Sequence, residues 1–301
     1  RLVQRAAKSE AARYCNHLAA FVFPVYLPVM LQLIDRAQEY SDRIAIVSEG
    51  TAYSYQQLLA DSGAAAGALL GEKADLDEAR VAFLVPPSYD YVRCQWAIWR
   101  AGGVAVPLCT AHPLPALRHV LEDTHAEILI LHPDYEELLT ATAQELKMRV
   151  LRLSDLLSST ALKLFTAPAI APKRRAQILY TSGTTSLPKG VVTTHANIEF
   201  QIKTLIDAWE WSKDDHILNI LPLHHVHGII NVLSCALWSG ACCEFLPKFN
   251  AGTVWEKISG GQLTRFMAVP TIYYKLIAHW ENLGAEDQAR LSTGAQKLNL
   301  M

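Results

Sequence analysis

The chain has 301 residues, enough for one large domain or two ordinary ones around a substantial buried core. Hydrophobic residues make up 51% and charged residues 19%, the opposite of the balance that keeps a chain disordered. Lys and Arg total 27 against 29 Asp and Glu, so the formal charge is −2 and no basic surplus exists to neutralise a nucleic-acid backbone.

Residues 1–30 read as an N-terminal extension or targeting remnant. Arg1, Arg5, Lys8 and Arg13 sit among alanines with Glu10 as the one acid, a composition shared by mitochondrial presequences and by ordinary terminal helices. The apolar stretch from Leu18 to Leu31 contains Pro24 and Pro28. It is shorter than the roughly 20 residues of a spanning helix, and prolines break such a helix, so no membrane span is expected. The six cysteines form no C-x-x-C pair, which suits neither a zinc knuckle nor a disulfide framework and points to a reduced compartment, cytoplasm or mitochondrial matrix.

From Arg80 onward short β-rich runs alternate with amphipathic stretches. Strands are expected at Val81–Val85, Val104–Val106, Glu127–Leu131 and Arg149–Leu153, with helices at Tyr89–Ala101, Leu114–Thr124 and Tyr135–Leu146 between them. After a polar connector at 168–175, the alternation resumes. Strands are expected at Gln177–Tyr180, Ile217–Leu221, Ala241–Leu246 and Phe266–Val269, and helices at Ala196–Trp211, His227–Trp238, Val254–Ile258 and Thr271–Trp280. This spacing implies an α/β fold of βαβ units, with parallel sheets packed against helices. The expected division is a first α/β subdomain at 31–167 and a second at 176–301. Lys297–Met301 reads as the start of another strand, so the fold is expected to continue past the end and to leave an open sheet edge for association.

The segment Tyr180-Thr181-Ser182-Gly183-Thr184-Thr185-Ser186-Leu187-Pro188-Lys189-Gly190 follows a predicted strand. Hydroxyl residues and glycine allow backbone N–H groups to converge on an anion, and Lys189 adds a mobile cation. The spacing from Gly183 to Lys189 is not that of a Walker A loop, and a Ser/Thr-rich surface turn fits the same composition. His224, His225 and His227 follow the strand at Ile217–Leu221. Adjacent side chains diverge in extended backbone and no fourth ligand lies nearby in sequence, which argues against zinc and leaves packing or a substrate role. No metal ligands are assigned. Trp209, Trp211, Trp238 and Trp255 are expected in the core.

The run Y-T-S-G-T-T-S-L-P-K-G-V resembles the signature loop of the adenylate-forming superfamily, which includes acyl-CoA synthetases. Matches at Asp42–Ala45, Thr51–Tyr55 with Gln57-Leu58, Gly102–Leu108, Leu221–Gly228 and Ala268–Tyr273 support it. The H-H-V-H-G, F-L-P-K-F and V-P-T-I-Y runs look most like the malonyl-CoA synthetase branch. The resemblance implies an ATP-dependent acid–CoA ligase that forms an acyl adenylate and then a thioester from malonate or another short carboxylate. Its substrates and cofactors would be ATP, Mg2+ and CoA. It assigns Thr181, Ser182, Gly183, Thr184, Thr185 and Lys189 to the β- and γ-phosphates, His225 to the reacting carboxylate, and His227 and Asn231 to the acyl group. Ser186 stands where the family usually has Gly. A catalytically incomplete fragment that binds nucleotide weakly or not at all is the alternative, because the family's later motifs would lie beyond Met301.

Overall fold

A computed structural model describes residues 31–158, 166–181, 187–246 and 248–299. The N-terminal reading at 1–30, the loop residues Ser182, Gly183, Thr184, Thr185 and Ser186, and the last two residues lie outside the described residues. Strands are β1 (Ile44–Ser48), β2 (Thr51–Ser54), β3 (Arg80–Leu84), β4 (Val104–Pro107), β5 (Ile128–Leu131), β6 (Arg149–Arg152), β7 (Arg175–Thr181), β8 (Lys189–Thr194), β9 (His216–Asn219), β10 (Cys242–Phe245) and β11 (Arg265–Phe266). They form a six-stranded sheet in the order β6-β5-β3-β4-β7-β8 and a five-stranded sheet in the order β11-β9-β10-β1-β2. All pairings are parallel except β1 with β2 and β7 with β8.

Five layers result, because the inner strands of both sheets bury both faces. Val81 and Phe83 of β3 enter a central core shared by the two sheets, while Ala82 and Leu84 enter an outer core under the helices Leu114–Asp123 and Glu136–Glu145. In the other sheet Ile217 faces the centre, and Leu218 faces a third core under the helices Ala251–Ser259, Pro270–Glu281 and Ala285–Ala295. This is the two-residue alternation of a strand covered on both sides. The central layer contains the helices Tyr55–Leu70, Tyr89–Arg100 and His195–Trp209. Two of them begin at capping boxes, Ser54 with Gln57 and Thr194 with Asn197, which satisfy helix-start N–H groups. Trp99 lies in this layer, and its indole N–H donates to the Ala176 carbonyl at 2.8 Å, fastening helix to sheet.

The strand order departs from the division expected at 168–175. β1 and β2 join the sheet built by 216–266, and β7 and β8 complete the sheet built by 80–152. Each sheet therefore draws strands from both sides of the connector. Two further expectations changed. Phe266–Val269 is reduced to the two-residue β11, and Lys297 lies in a turn after the helix Ala285–Ala295. The Asn299 backbone N–H nevertheless donates to the Thr264 carbonyl at 2.7 Å, so the chain there runs beside the β11 edge. Trp211, Trp238 and Trp255 are buried as expected, and Trp209 packs against the central core.

Candidate active site

In open parallel sheets, ligands bind outside the carboxyl ends of the strands, where outgoing loops converge. Here the outgoing loops of β4, β7 and β9 carry His112, the hydroxyl-rich segment and the histidine cluster. The parallel register of β4 with β7, Ala105 opposite Gln177, places the first two on one edge.

The described flanks of the hydroxyl-rich segment are well fixed. Thr181 ends β7 directly opposite Lys189, the first residue of β8, and both are exposed. The Tyr180 hydroxyl donates to the Asp123 carboxylate. His119 Nε2 lies 3.1 Å from the Pro188 carbonyl oxygen, and the His119 ring meets Tyr180 edge-on. Both partners come from the helix Leu114–Asp123. That helix therefore grips the loop at entry and exit, a support that no local sequence signal announced.

The histidine loop is held from two directions. Tyr91, on the central helix Tyr89–Arg100, donates its hydroxyl to the Leu223 carbonyl at 2.5 Å. Asn219, at the end of β9, donates to the Gly228 carbonyl and accepts from the Leu221 N–H. Gly228 is required by space: a Cβ there would fall 2.5 Å from the Pro222 carbonyl oxygen. His227 opens an eight-residue π-helix, His227–Ser234, followed by one α-helical turn at Cys235–Ser239, where a single regular helix was expected. Wide π-turns of this kind recur at functional sites. Asn231 lies on it and accepts a hydrogen bond from Gln201 Nε2 at 2.7 Å.

The rings of His224 and His225 are 4.2 Å apart, and His112 approaches His224 at 5.9 Å. Burial, with His225 and His112 beside it, pushes His224 down to about 4. Burial, then His112, lowers His225; burial alone lowers His227. The loop is therefore a set of neutral imidazoles near pH 7, able to donate or accept hydrogen bonds. Among the described residues no group of three or more His, Cys, Asp and Glu side chains could hold a metal ion.

The opposite end of the sheets looks different. Arg265 Nε sits 2.8 Å from Asp215 Oδ2 as a buried ion pair that is not aligned as a hydrogen bond; its other nitrogens donate to the Trp209 and Glu210 carbonyls. Arg174 clamps Asp75 through two bonds of 2.6 and 2.9 Å and also donates to the Gly102 carbonyl. Burial opposes ionisation of Asp75, but Arg174 outweighs it and holds the carboxyl below its usual range. An apolar cavity lined by Trp99, His195, Ile202 and Trp238 contains none of the residues assigned to nucleotide, carboxylate or acyl group.

Comparison with known proteins agrees with this geometry. Residues 33–299 match the family of AMP-binding enzymes. The mitochondrial malonate–CoA ligase ACSF3 of Xenopus laevis is 40% identical over 271 residues, covering 86% of this chain and 47% of that protein. The malonate–CoA ligase of Arabidopsis thaliana is 32% identical, covering 95% of this chain and 52% of that protein. The crystal structure of ATP-bound MatB from Rhodopseudomonas palustris superposes with a TM-score of 0.78 at 28% identity, covering 90% of this chain and 54% of that one. The chain spans about half the length of the curated relatives it matches. No helix among the described residues is long and apolar enough to cross a membrane. The chain belongs to the AMP-binding enzyme family, and its fold is that of the N-terminal domain of adenylate-forming enzymes.

Proposed function

We propose that, as a member of this family, the chain serves an AMP-forming acid–CoA ligase acting on malonate or another short carboxylate. Thr181, Ser182, Gly183, Thr184, Thr185 and Lys189 hold the β- and γ-phosphates of ATP, and Mg2+ accompanies the nucleotide as its counter-ion. A carboxylate oxygen attacks the α-phosphorus, the bond to pyrophosphate breaks, and an acyl adenylate forms. CoA sulfur then attacks the acyl carbon, its thiol proton passes to solvent, and AMP leaves. Both partners of the first step are anionic, so the work is positioning and charge stabilisation. His225, as a neutral imidazole, donates to the oxygen where negative charge accumulates. His227 and Asn231 border the acyl group, Asn231 being oriented by Gln201. The mitochondrial name of the Xenopus laevis relative favours a mitochondrial location over the cytoplasm.

The observation that carries this reading is topological. The hydroxyl-rich loop with Lys189 and the histidine loop leave carboxyl ends of strands, the one class of position where such sheets bind ligands. Malonate-dependent exchange of labelled pyrophosphate into ATP is the test. Exchange that disappears in Lys189→Ala is the expected result, and exchange indifferent to that substitution overturns the assignment.

A further inference from the structure

We propose that His119, on the helix Leu114–Asp123, is a positioning residue for Lys189. With Tyr180 and Asp123 it braces the backbone on both sides of that lysine and so aims the ammonium at a nucleotide's phosphates. The inference rests on the phosphate-binding reading of Lys189 given above. On the near side, His119 Nε2 lies 3.1 Å from the Pro188 carbonyl oxygen, one residue before Lys189. A carbonyl oxygen only accepts, so Nε2 is the nitrogen that carries the proton. On the far side, Gly190 stands opposite Tyr180 in the β7–β8 register, and a Cβ on it would fall 3.1 Å from Tyr180 Cζ. The Tyr180 ring therefore lies against the backbone of the residue that follows Lys189.

Tyr180 is itself held by the same helix. Its hydroxyl donates to the Asp123 carboxylate, and the His119 ring meets it edge-on with the centroids 6.1 Å apart. His119 and Asp123 are four positions apart, so both project from one face of the helix. The other side of that helix buries Leu117, Val120 and Leu121 in the outer core, which ties the brace to the body of the fold. Pro188 precedes β8 and has no N–H to offer the β7 ladder, so the bond from His119 holds the chain where strand pairing does not. Lys189 is exposed, and among the described residues no hydrogen bond or ion pair holds its side chain. An ammonium on a flexible four-carbon stem is aimed only as well as the backbone beneath it is fixed. His119 is turned to the Pro188 carbonyl, so it acts through Lys189 and not on the nucleotide.

The experiment is equilibrium dialysis of the intact chain against labelled ATP with Mg2+, run as a double-mutant cycle over His119 and Lys189. His119→Phe keeps a ring against Tyr180 but loses the N–H, and is expected to weaken binding about fivefold. His119→Gln, whose amide N–H can reach the same carbonyl, should restore most of that loss. In a Lys189→Ala background His119→Phe should have almost no further effect, whereas a merely structural role would cost the same with or without the lysine. A His119→Phe chain that binds as the parent does, or loses as much affinity without Lys189 as with it, overturns the proposal. Should His119→Phe fail to fold, His119→Met, which also lacks a donor, carries the same outcomes. ATP binding that is absent in the parent, or indifferent to Lys189→Ala, overturns the phosphate-loop reading and takes the role of His119 with it. Failure confined to the His119 variants leaves that reading standing.

Discussion

The amino and carboxyl ends of the strands are built from opposite chemistry. At the amino ends charges are paired and enclosed: Asp215 with Arg265, Asp75 with Arg174, and Arg43 donating to the Gly240 carbonyl. At the carboxyl ends of β4 and β9 the imidazoles of His112, His224 and His225 face one another, and Thr181 and Lys189 stand exposed. Paired buried charges fix geometry and are costly to break singly, whereas closely spaced imidazoles leave hydrogen-bonding capacity unspent. One end holds the layers in place and the other is left free to meet a ligand.

Substitutions at the two ends should therefore fail in different ways. The largest effect is expected from Asp215→Ala, which strands the buried Arg265 guanidinium and lowers unfolding free energy by about 3–5 kcal/mol in urea titrations. A loss below about 1 kcal/mol would show that the amino end is not the structural one. His225→Ala should reduce malonate-dependent pyrophosphate exchange by about a hundredfold, about 2.7 kcal/mol, while the thermal midpoint stays near that of the parent. Equal losses of stability and exchange would erase the distinction.

Acid sharpens the comparison. His195, the first residue after β8, lies at the amino end, and burial pushes it down to about 4, as happens to His224 at the carboxyl end. Both are neutral in the fold, but the unfolded chain takes up protons below about 6.5. Stability should be complete above that pH and fall by about 3 kcal/mol for each ring as pH drops toward 4. His195→Phe, measured by urea midpoints at pH 7 and 5, should remove the larger part of the slope, because His195 is the more deeply buried of the two. The smallest effect is expected for Gln201→Leu, which deprives Asn231 of its donor. It should cost about 1 kcal/mol, read as a severalfold rise in the KM for the acid with little change in the melting temperature.

Much of the outline was legible in advance for physical reasons. Val81–Val85 and Glu127–Leu131 are apolar runs bounded by turn residues, and they sit at β3 and β5 within a residue or two. The helices at 89–100 and 114–123 follow apolar spacings that only a helix turns to one side. The π-helix at 227–234 was not legible. Over eight residues an apolar stretch such as Gly228–Leu233 does not distinguish π from α spacing, and the wide turn accompanies Asn219 holding the Gly228 carbonyl. The helix Ala285–Ala295 buries Leu291 and Gly294, too small an apolar face to stand out from a polar segment.

Of the residues singled out beforehand, Thr181 and Lys189 face each other across β7 and β8, and His225 and Asn231 acquired partners that no spacing rule names. His112, Asp123, His119 and Gln201 are separated in sequence from the groups they serve by 30 to 112 positions. The sequence by itself determined the alternation of strands and helices, the chemistry of the loop from Thr181 to Lys189 and the presence of adjacent imidazoles, because these depend on neighbours along the chain. Only the tertiary structure decided that β1 pairs with β10, that the sheets exchange strands across residues 168–175, and that His112 joins His224. Those outcomes follow from burying both faces of the inner strands of two sheets at once, a condition that no local pattern contains.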